Sequence, residues 1–557
     1  LNQFYMNKSL LVIIALFLTV GAMSQNTVGL LSYVPWQSYD GYNLIFPHNQ
    51  PNVYLLDNCG QIVHVWEDDT NWRPGNTAYL RADGTLVKAK RDATVTDDAI
   101  WAGGGGEIIE IRDWDNNVIW TYTMNDSINR LHHDIAPMPN GNILALAWEF
   151  KTEEESLQAG RDTATTAQDE LWPDWVFEIN PNTDEIVWEW HSWDHLIQDF
   201  DSTKSNFGVV SEEVGLIDVN FDTHDGHPDW HHGNSLDYNA ELDQIMISIP
   251  YFNEFWIIDH TTTTAEAAGH TGGLSGKGGD LMYRWGNPAT YQAGDSTDQK
   301  LYFQHDAHWE LDFLDPTHPH YGKIGVFNNR VGADFSQANI LTSPWDMYSW
   351  SYTYDEPYYG PQNFDETFQH PTPTELYSTG LSSVQCLPNG NTLITSGRFG
   401  YSFEMTPSGQ IVWEYKTPLV GGAPATQGDS LAINNNLTFR MKRYPLDYAA
   451  FDGADLSPQG YIELEPDSSF CEDILNSIDD IDMYMLNIYP NPAENWVAME
   501  WMAGVQAQVE IVDVFGRVMR SFSDYGGRKY LDISDFKDGI YFVRIGDSEA
   551  RKLIIAR

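Results

Sequence analysis

Cationic side chains are scarce in this chain: 30 Lys and Arg stand against 80 Asp and Glu, a formal net charge of −50 over 557 residues. So acidic a surface repels nucleic acid and anionic membranes. An anionic substrate must be drawn in by local His, Arg or backbone N–H groups against the overall field. Cysteine is also rare. Cys59, Cys386 and Cys471 are too few for a disulfide scaffold; export permits one bridge and leaves one thiol over, and the sequence does not say which two pair. Beyond the apolar run Leu10 to Val20 no segment is long and apolar enough to cross a bilayer, so no transmembrane anchor is expected. Runs of helical periodicity are scarce, which argues against an α-rich fold.

The N-terminal run follows Met6-Asn7-Lys8, with its single positive charge, and precedes the small residues of Ala22-Met23-Ser24. That order reads as a secretory signal peptide over residues 1–24, with residues 1–5 an upstream-start artefact. The acidity fits an extracellular setting.

What the chain has in quantity is a repeated strand pair. Asn52 to Trp66, Glu107 to Trp120, Trp175 to Trp190 and Ser402 to Tyr415 each read as an apolar strand, a polar turn and a strand rich in β-branched and aromatic residues. Between them, Pro139-Asn140-Gly141-Asn142 and Pro388-Asn389-Gly390-Asn391 supply the Asn-Gly of tight hairpin turns. At about 40–50 residues per four-stranded unit, residues 25–456 hold about six blades of an all-β propeller. A tandem of β-sandwiches and an open solenoid are the other architectures such a pattern permits. Polar insertions at 151–170, 201–227 and 334–373 interrupt the repeats, and loops of that length shape a binding face or a lid. Residues 457–485 read as an acidic linker.

The segment 486–557 differs in kind: Asn487 to Ala493 opens it, Val509 to Val518 makes a hairpin, and Asp538 to Ile545 is followed by Arg551 to Ile555. It resembles the C-terminal sorting domain of the type IX secretion system of Bacteroidetes, a small immunoglobulin-like β-sandwich. The resemblance implies passage through periplasm and outer membrane, with the type IX machinery as partner, and a secreted or cell-surface location.

Three histidine motifs occupy equivalent places, each ahead of or opening a strand: His132-His133-Asp134, His231-His232-Gly233-Asn234-Ser235 and Gln304-His305-Asp306-Ala307-His308. In a propeller, equivalent strand starts converge near one end of the central channel, so imidazoles distant in sequence meet there. Histidines at strand ends also serve as hydrogen-bonded pegs between blades, and three imidazoles are a familiar zinc shell, although no HExxH pairing is present. Gly272 to Gly278 lacks the first Gly of a phosphate-binding loop and reads as a flexible loop. Asp218, Asn220, Asp222 and Asp225 alternate oxygen ligands as a calcium loop does, without full EF-hand spacing, and make calcium a candidate structural ion.

With Arg284-Trp285-Gly286-Asn287-Pro288 and Gly390 to Leu393 added to the histidine motifs, the stretch from Val28 to Pro418 resembles the bacterial arylsulfate sulfotransferases, exported six-bladed propellers. The resemblance implies sulfuryl transfer from a phenolic sulfate donor to a phenol acceptor through a sulfohistidine, with no cofactor required. His305 matches the nucleophile; His232 and Asn234 match the His-x-Asn pair beside the sulfuryl group; His133 supplies another catalytic imidazole. His132, His308, Arg284 and Arg398 are the expected substrate-binding residues. Two positions depart from the family: Pro250 stands where its arginine is expected, and Gly233 replaces its usual residue between His232 and Asn234. Proline carries no charge and makes no bidentate contact to a sulfate. The departure keeps a second function in view, a non-catalytic surface propeller that binds a glycan, peptide or sulfated polymer.

Overall fold

The structure is a computed structural model and describes residues 26–165, 170–355, 357–476, 486–501, 507–524, 527–545 and 550–557. The expected signal peptide, and residues 477–485 of the expected linker, lie outside the described residues.

The repeated strand pairs fold into six antiparallel sheets, each of four or five strands, between Gly29 and Pro445. The two Asn-Gly turns behave as their chemistry requires: Gly141 and Gly390 take φ of 90° and 86°, and their N–H groups close turns on Met138 and Leu387. The innermost strands are Trp72–Leu80, Asn129–Pro137, Ser235–Asn239, His305–Trp309, Ser383–Cys386 and Thr438–Pro445. They pack side by side in that order, the last returning to the first, which is the closed ring of a β-propeller. Closure draws on both ends of the body. Thr438–Pro445 pairs with Gly41–Pro47, and Gly29–Tyr33 adds a fifth strand beside Ile411–Lys416. Apolar faces of neighbouring sheets fill the space between them, with Trp66, Trp148, Trp190, Trp256 and Trp413 fully buried. The tryptophans of the Ile-Val-Trp pattern are therefore packing residues.

Carboxylates on or just after the inner strands lace four successive blades together. Asp134 Oδ2 accepts from Leu236 N at 3.1 Å, Asp237 Oδ2 from Trp309 N at 2.7 Å, Asp306 Oδ2 from Val384 N at 3.1 Å, and Glu310 Oε2 from Cys386 N at 2.9 Å. Across the channel, the Arg440 guanidinium pairs with Asp134 at 3.1 Å and Asp306 at 2.6 Å and also donates to the Tyr79 hydroxyl. One cation thus joins blades that are distant in sequence.

The disulfide is Cys59–Cys471, and Cys386 is a buried free thiol. It ties the segment after the last blade to the hairpin of Val53–Leu56 and Ile62–Trp66, which belongs to that same closing blade, across a sequence separation of 412. The C-terminal body is a two-sheet sandwich: Asn487–Tyr489, Trp496–Trp501 and Gly527–Asp532 form one sheet, and Ala507–Asp513, Val518–Asp524, Gly539–Ile545 and Arg551–Ile555 the other. Its own core is built from Val497, Met499, Trp501, Val509, Ile511 and Val543 among others.

Arg440→Ala leaves Asp134 and Asp306 facing each other without their cation, and loss of one partner of a buried ion pair costs about 3–5 kcal/mol. The denaturant midpoint of the propeller should fall accordingly; an unchanged midpoint would show that the channel cation is dispensable.

Candidate functional site

Three expected histidines meet at one end of the channel. The rings of His133 and His232 stand edge to face with centroids 4.5 Å apart, and Phe303 lies between His232 (6.3 Å) and His305 (5.8 Å). All three are nearly buried. The backbone that aims them is unusual. Asn76, His133, His232, Phe303 and Ser382 all have positive φ, of 108°, 50°, 58°, 56° and 94°. Each lies in or just ahead of a different inner strand. Register shifts at Pro74/Ala78 and His305/His308 break the pleat in the same region. Non-glycine residues held in this conformation cost of order 1–3 kcal/mol each and persist where the surroundings over-determine them. Here the effect is to turn side chains into the channel instead of onto a sheet face.

The hydrogen bonds of His305 fix its tautomer. Asn329 donates its amide to Ser378 O at 3.0 Å and Leu381 O at 2.9 Å, so its Oδ1 must face His305 Nδ1, 2.9 Å away, and accept. Nδ1 therefore carries the proton and Nε2 the lone pair. Burial holds this ring neutral, and a charge on nearby His232 or Arg330 disfavours protonation further; the group is pushed down to about 3. His232 goes the other way. Burial opposes its charge, but the Asp229 carboxylate, 2.5 Å from Nδ1, outweighs it and raises the pKa above the ordinary value. One pocket thus holds a neutral imidazole beside one that favours the cation.

His133 is pressed well below the ordinary range by burial and by the imidazoles of His232, His132, His305 and His48. His132 stands behind it, out of the channel: Nδ1 meets His133 Nδ1 at 3.1 Å, Nε2 faces the Asp174 carboxylate at 3.3 Å, and the ring stacks on Trp148 at 4.2 Å. Both its ring nitrogens are thus turned to His133 and Asp174. A β-carbon on Gly104, at φ 81°, would lie 2.1 Å from His133 Nε2, so only glycine lets this loop close over the histidines. Gly233 has a similar reason. Its N–H donates to Asp174 at 2.7 Å, and a β-carbon there would meet the same carboxylate oxygen at 2.3 Å.

Asn234 is fully buried and donates its amide to Gln304 O at 2.8 Å, holding the residue that precedes His305. Arg398 reaches the site: a methyl on Gly380 would lie 3.5 Å from its guanidinium and 3.7 Å from His305 Cε1, and its Nε is buried without a partner. Arg284 does not. It is sealed in an ion pair with Glu254 at 2.7 Å, bonded also to Leu216 O and Thr290, and serves the blade core. His308 is also elsewhere. It lies three residues on from His305 and lines a cavity of about 640 Å³ at the opposite mouth of the channel. There burial opposes its charge, but Asp306, Glu310 and Asp237 outweigh that and push it up to about 10. The calcium candidates do not converge. Asp218 accepts from Asn220 N, Asp222 from His224 N and Gly226 N, and Asn220 from Asp162 N, so their oxygens cap backbone turns. Asp225 makes none of these contacts.

Sequence reasoning missed several groups. His48, at the end of a strand of the closing blade, is a fourth imidazole, lowered to about 4 by burial with Arg91 and Arg398 adding to it. A lone histidine in Phe46-Pro47-His48-Asn49 gives no signal. Arg330 is a cation beside the cluster, close enough to act on His305. Its guanidinium lies 3.6 Å above the Phe303 ring and bonds Thr379 O at 3.0 Å. Tyr251, next to Pro250, packs on His232 at 4.9 Å and on His224 at 4.3 Å.

A family model, Arylsulfotransferase (ASST), matches residues 37–421. The chain belongs to the arylsulfotransferase family. A second model, Secretion system C-terminal sorting domain, matches residues 487–556, which marks this arylsulfotransferase-family chain for export to the cell surface or beyond. Among the described residues no helix is long and apolar enough to cross a membrane. No curated protein matches the chain. Solved structures with some likeness include a protein of unknown function from Bacteroides caccae, at 10% identity and TM-score 0.37, covering 68% of this chain and 94% of that one. A streptogramin B lyase aligns at 10% identity and TM-score 0.33, over 76% and 94%. A putative 6-phosphogluconolactonase from Bacteroides fragilis aligns at 10% and 0.32, over 73% and 98%. These overlaps are too loose to bear on function.

The buried neutral histidines set an acid limit on stability. His305, His48 and His231 titrate at about 3, 4 and 4 when folded and near 6.5 when unfolded. Between those values the unfolded chain binds more protons, so stability is complete above about pH 6.5 and falls as pH drops. Replacing His305 by Gln should flatten the fall by at most about 1.4 kcal/mol per pH unit between about pH 6 and 4. Denaturant titrations at several pH values measure it; identical slopes would refute the neutral assignment.

Proposed function

We propose that this six-sheet body is a six-bladed arylsulfotransferase that moves a sulfuryl group between phenols through a sulfohistidine at His305. The observation that carries the reading is the tautomer lock: Asn329 holds the proton on Nδ1, and Nε2 is left as a lone pair in a pocket with a cationic His232.

In the first half-reaction His305 Nε2 attacks the sulfur of an aryl sulfate monoanion, the S–N bond forms and the S–O bond to the aryl group breaks. His232 gives its proton to the departing phenolate. The sulfo-imidazolium keeps its Nδ1 proton on Asn329, whose acceptor bond strengthens as charge develops on the ring. In the second half an acceptor phenol returns its proton to His232 and attacks sulfur, the S–N bond breaks, and both rings regain their starting states. Protons and charge balance across the cycle.

Arg398 and Arg330 are the cations that offset the missing arginine at Pro250, holding sulfate oxygens while the His133 edge faces the same spot. Tyr251 and Phe303 offer flat faces for the aryl rings. A local cluster of Arg91, Arg330 and Arg398 also reverses the acidic field of the surface where an anion must enter.

Incubation with an aryl sulfate should leave one added sulfo group on the peptide bearing His305, seen by mass spectrometry, and phenol should be released when a second phenol is present. His305→Ala should abolish both. His232→Gln should slow transfer by about 10²–10⁴, the usual share of a general acid, and wild-type activity should decline as pH rises through the raised His232 pKa. Full turnover by His305→Ala would sink the mechanism.

A further inference from the structure

Interleaved in sequence with the channel histidines, His195, His270 and Asp280 bring two ring nitrogens and a carboxylate oxygen within 4.8 Å of one another. The three come from separate places: His195 follows the 3-10 turn Ser192–Asp194, His270 follows the short helix Thr264–Ala267, and Asp280 ends the glycine-rich loop. His195 is fully buried, and its Nε2 lies 2.8 Å from Ala267 O. A carbonyl only accepts, so Nε2 carries a proton, and Nδ1 is the ring nitrogen turned towards Asp280. That Nδ1 is 2.8 Å from Asp280 Oδ1, and His270 Nδ1 is 2.7 Å from the same oxygen. Two ring nitrogens this close to one carboxylate oxygen share a positive charge with it, carried on protons or on a metal ion, and the three ligand atoms are near enough to hold one ion.

We propose that His195 Nδ1, His270 Nδ1 and the Asp280 carboxylate form a zinc site. Two imidazoles and a carboxylate are a ligand set suited to zinc, and the carbonyl behind His195 is the kind of partner that fixes the tautomer of a ligating histidine. The His270 side chain is 58% exposed, so the site opens to solvent, where water completes the coordination. The surroundings are built for close approach. His195 stacks on Trp190 at 5.6 Å and 7°, and Trp190 Nε1 donates to Gly279 O at 2.7 Å. A β-carbon on Gly279 would fall 2.0 Å from Ala267 O and 2.6 Å from His195 Nε2; one on Gly278, at φ 59°, would fall 2.3 Å from Gly269 O. The glycines of this loop are what let it wrap His195. Lys277 is the other cation near Asp280, and it acts on that carboxylate from within the loop without reaching between the rings.

The test uses the full chain, stripped with chelator, loaded with zinc sulfate, desalted and assayed for bound metal, with thermal unfolding followed in parallel. Wild type and His133→Ala, which removes an imidazole of the channel cluster, should each retain one zinc and unfold at higher temperature with it. His270→Ala, at an exposed position that leaves packing intact, and Asp280→Asn should bind at least about tenfold more weakly and lose the zinc-dependent shift. Failure of the wild type to retain zinc, or retention equal in His270→Ala, overturns the assignment; the three groups would then share a proton in place of a metal.

Discussion

The Arg440 guanidinium, held between Asp134 and Asp306 across the channel, is the interaction on which the arrangement depends. Each of those aspartates directly follows a site histidine, His133 and His305, and each also accepts the N–H of the next inner strand. The backbone angles that aim the histidines are therefore set by a buried ion-pair layer one residue further along the strands. Unpaired carboxylates so deeply buried would be unaffordable, and a single cation neutralises two of them while joining three sheets. The strained residues around the site are tolerated for the same reason: the strands that carry them are fixed from beneath.

The site solves an electrostatic problem that the whole molecule makes worse. At a net charge of −50 the surface repels an anionic substrate. The channel end counters it by a division of labour among imidazoles. Asp229 favours the charged form of His232, while burial favours the neutral forms of His305, His48 and His133. Pushing the pKa values of like groups apart assigns nucleophile and acid without any difference in residue type.

Much of the fold was legible because strand periodicity and turn chemistry are local. Ile-Val-Trp repeats and Asn-Gly turns lie where the hairpins form, and the sorting domain was readable as a separate sandwich. His133, His232 and His305 were legible as a set because each opens or precedes a strand at an equivalent place. What failed to show had no local mark. Arg284 sits in a motif that reads as functional yet is consumed by Glu254, and His308 shares a motif with His305 but, three residues further along a strand of 3.3 Å rise or so, belongs to the other mouth of the channel. His48 and Arg330 are single residues, visible only once the ring is closed.

By itself the sequence determined the all-β architecture, the exported character and the identity of the three central histidines, since these rest on spacing and composition within short windows. Tertiary structure alone decided the Cys59–Cys471 pairing, the contacts of His132 with His133 and of Asn234 with Gln304, and the nearness of Arg330 and Arg398 to the channel histidines. It also decided which imidazole favours the neutral form and which the cation. The physical reason is common to all of these: pairing, burial and field are properties of groups brought together from distant parts of the chain, and no window of sequence contains both partners.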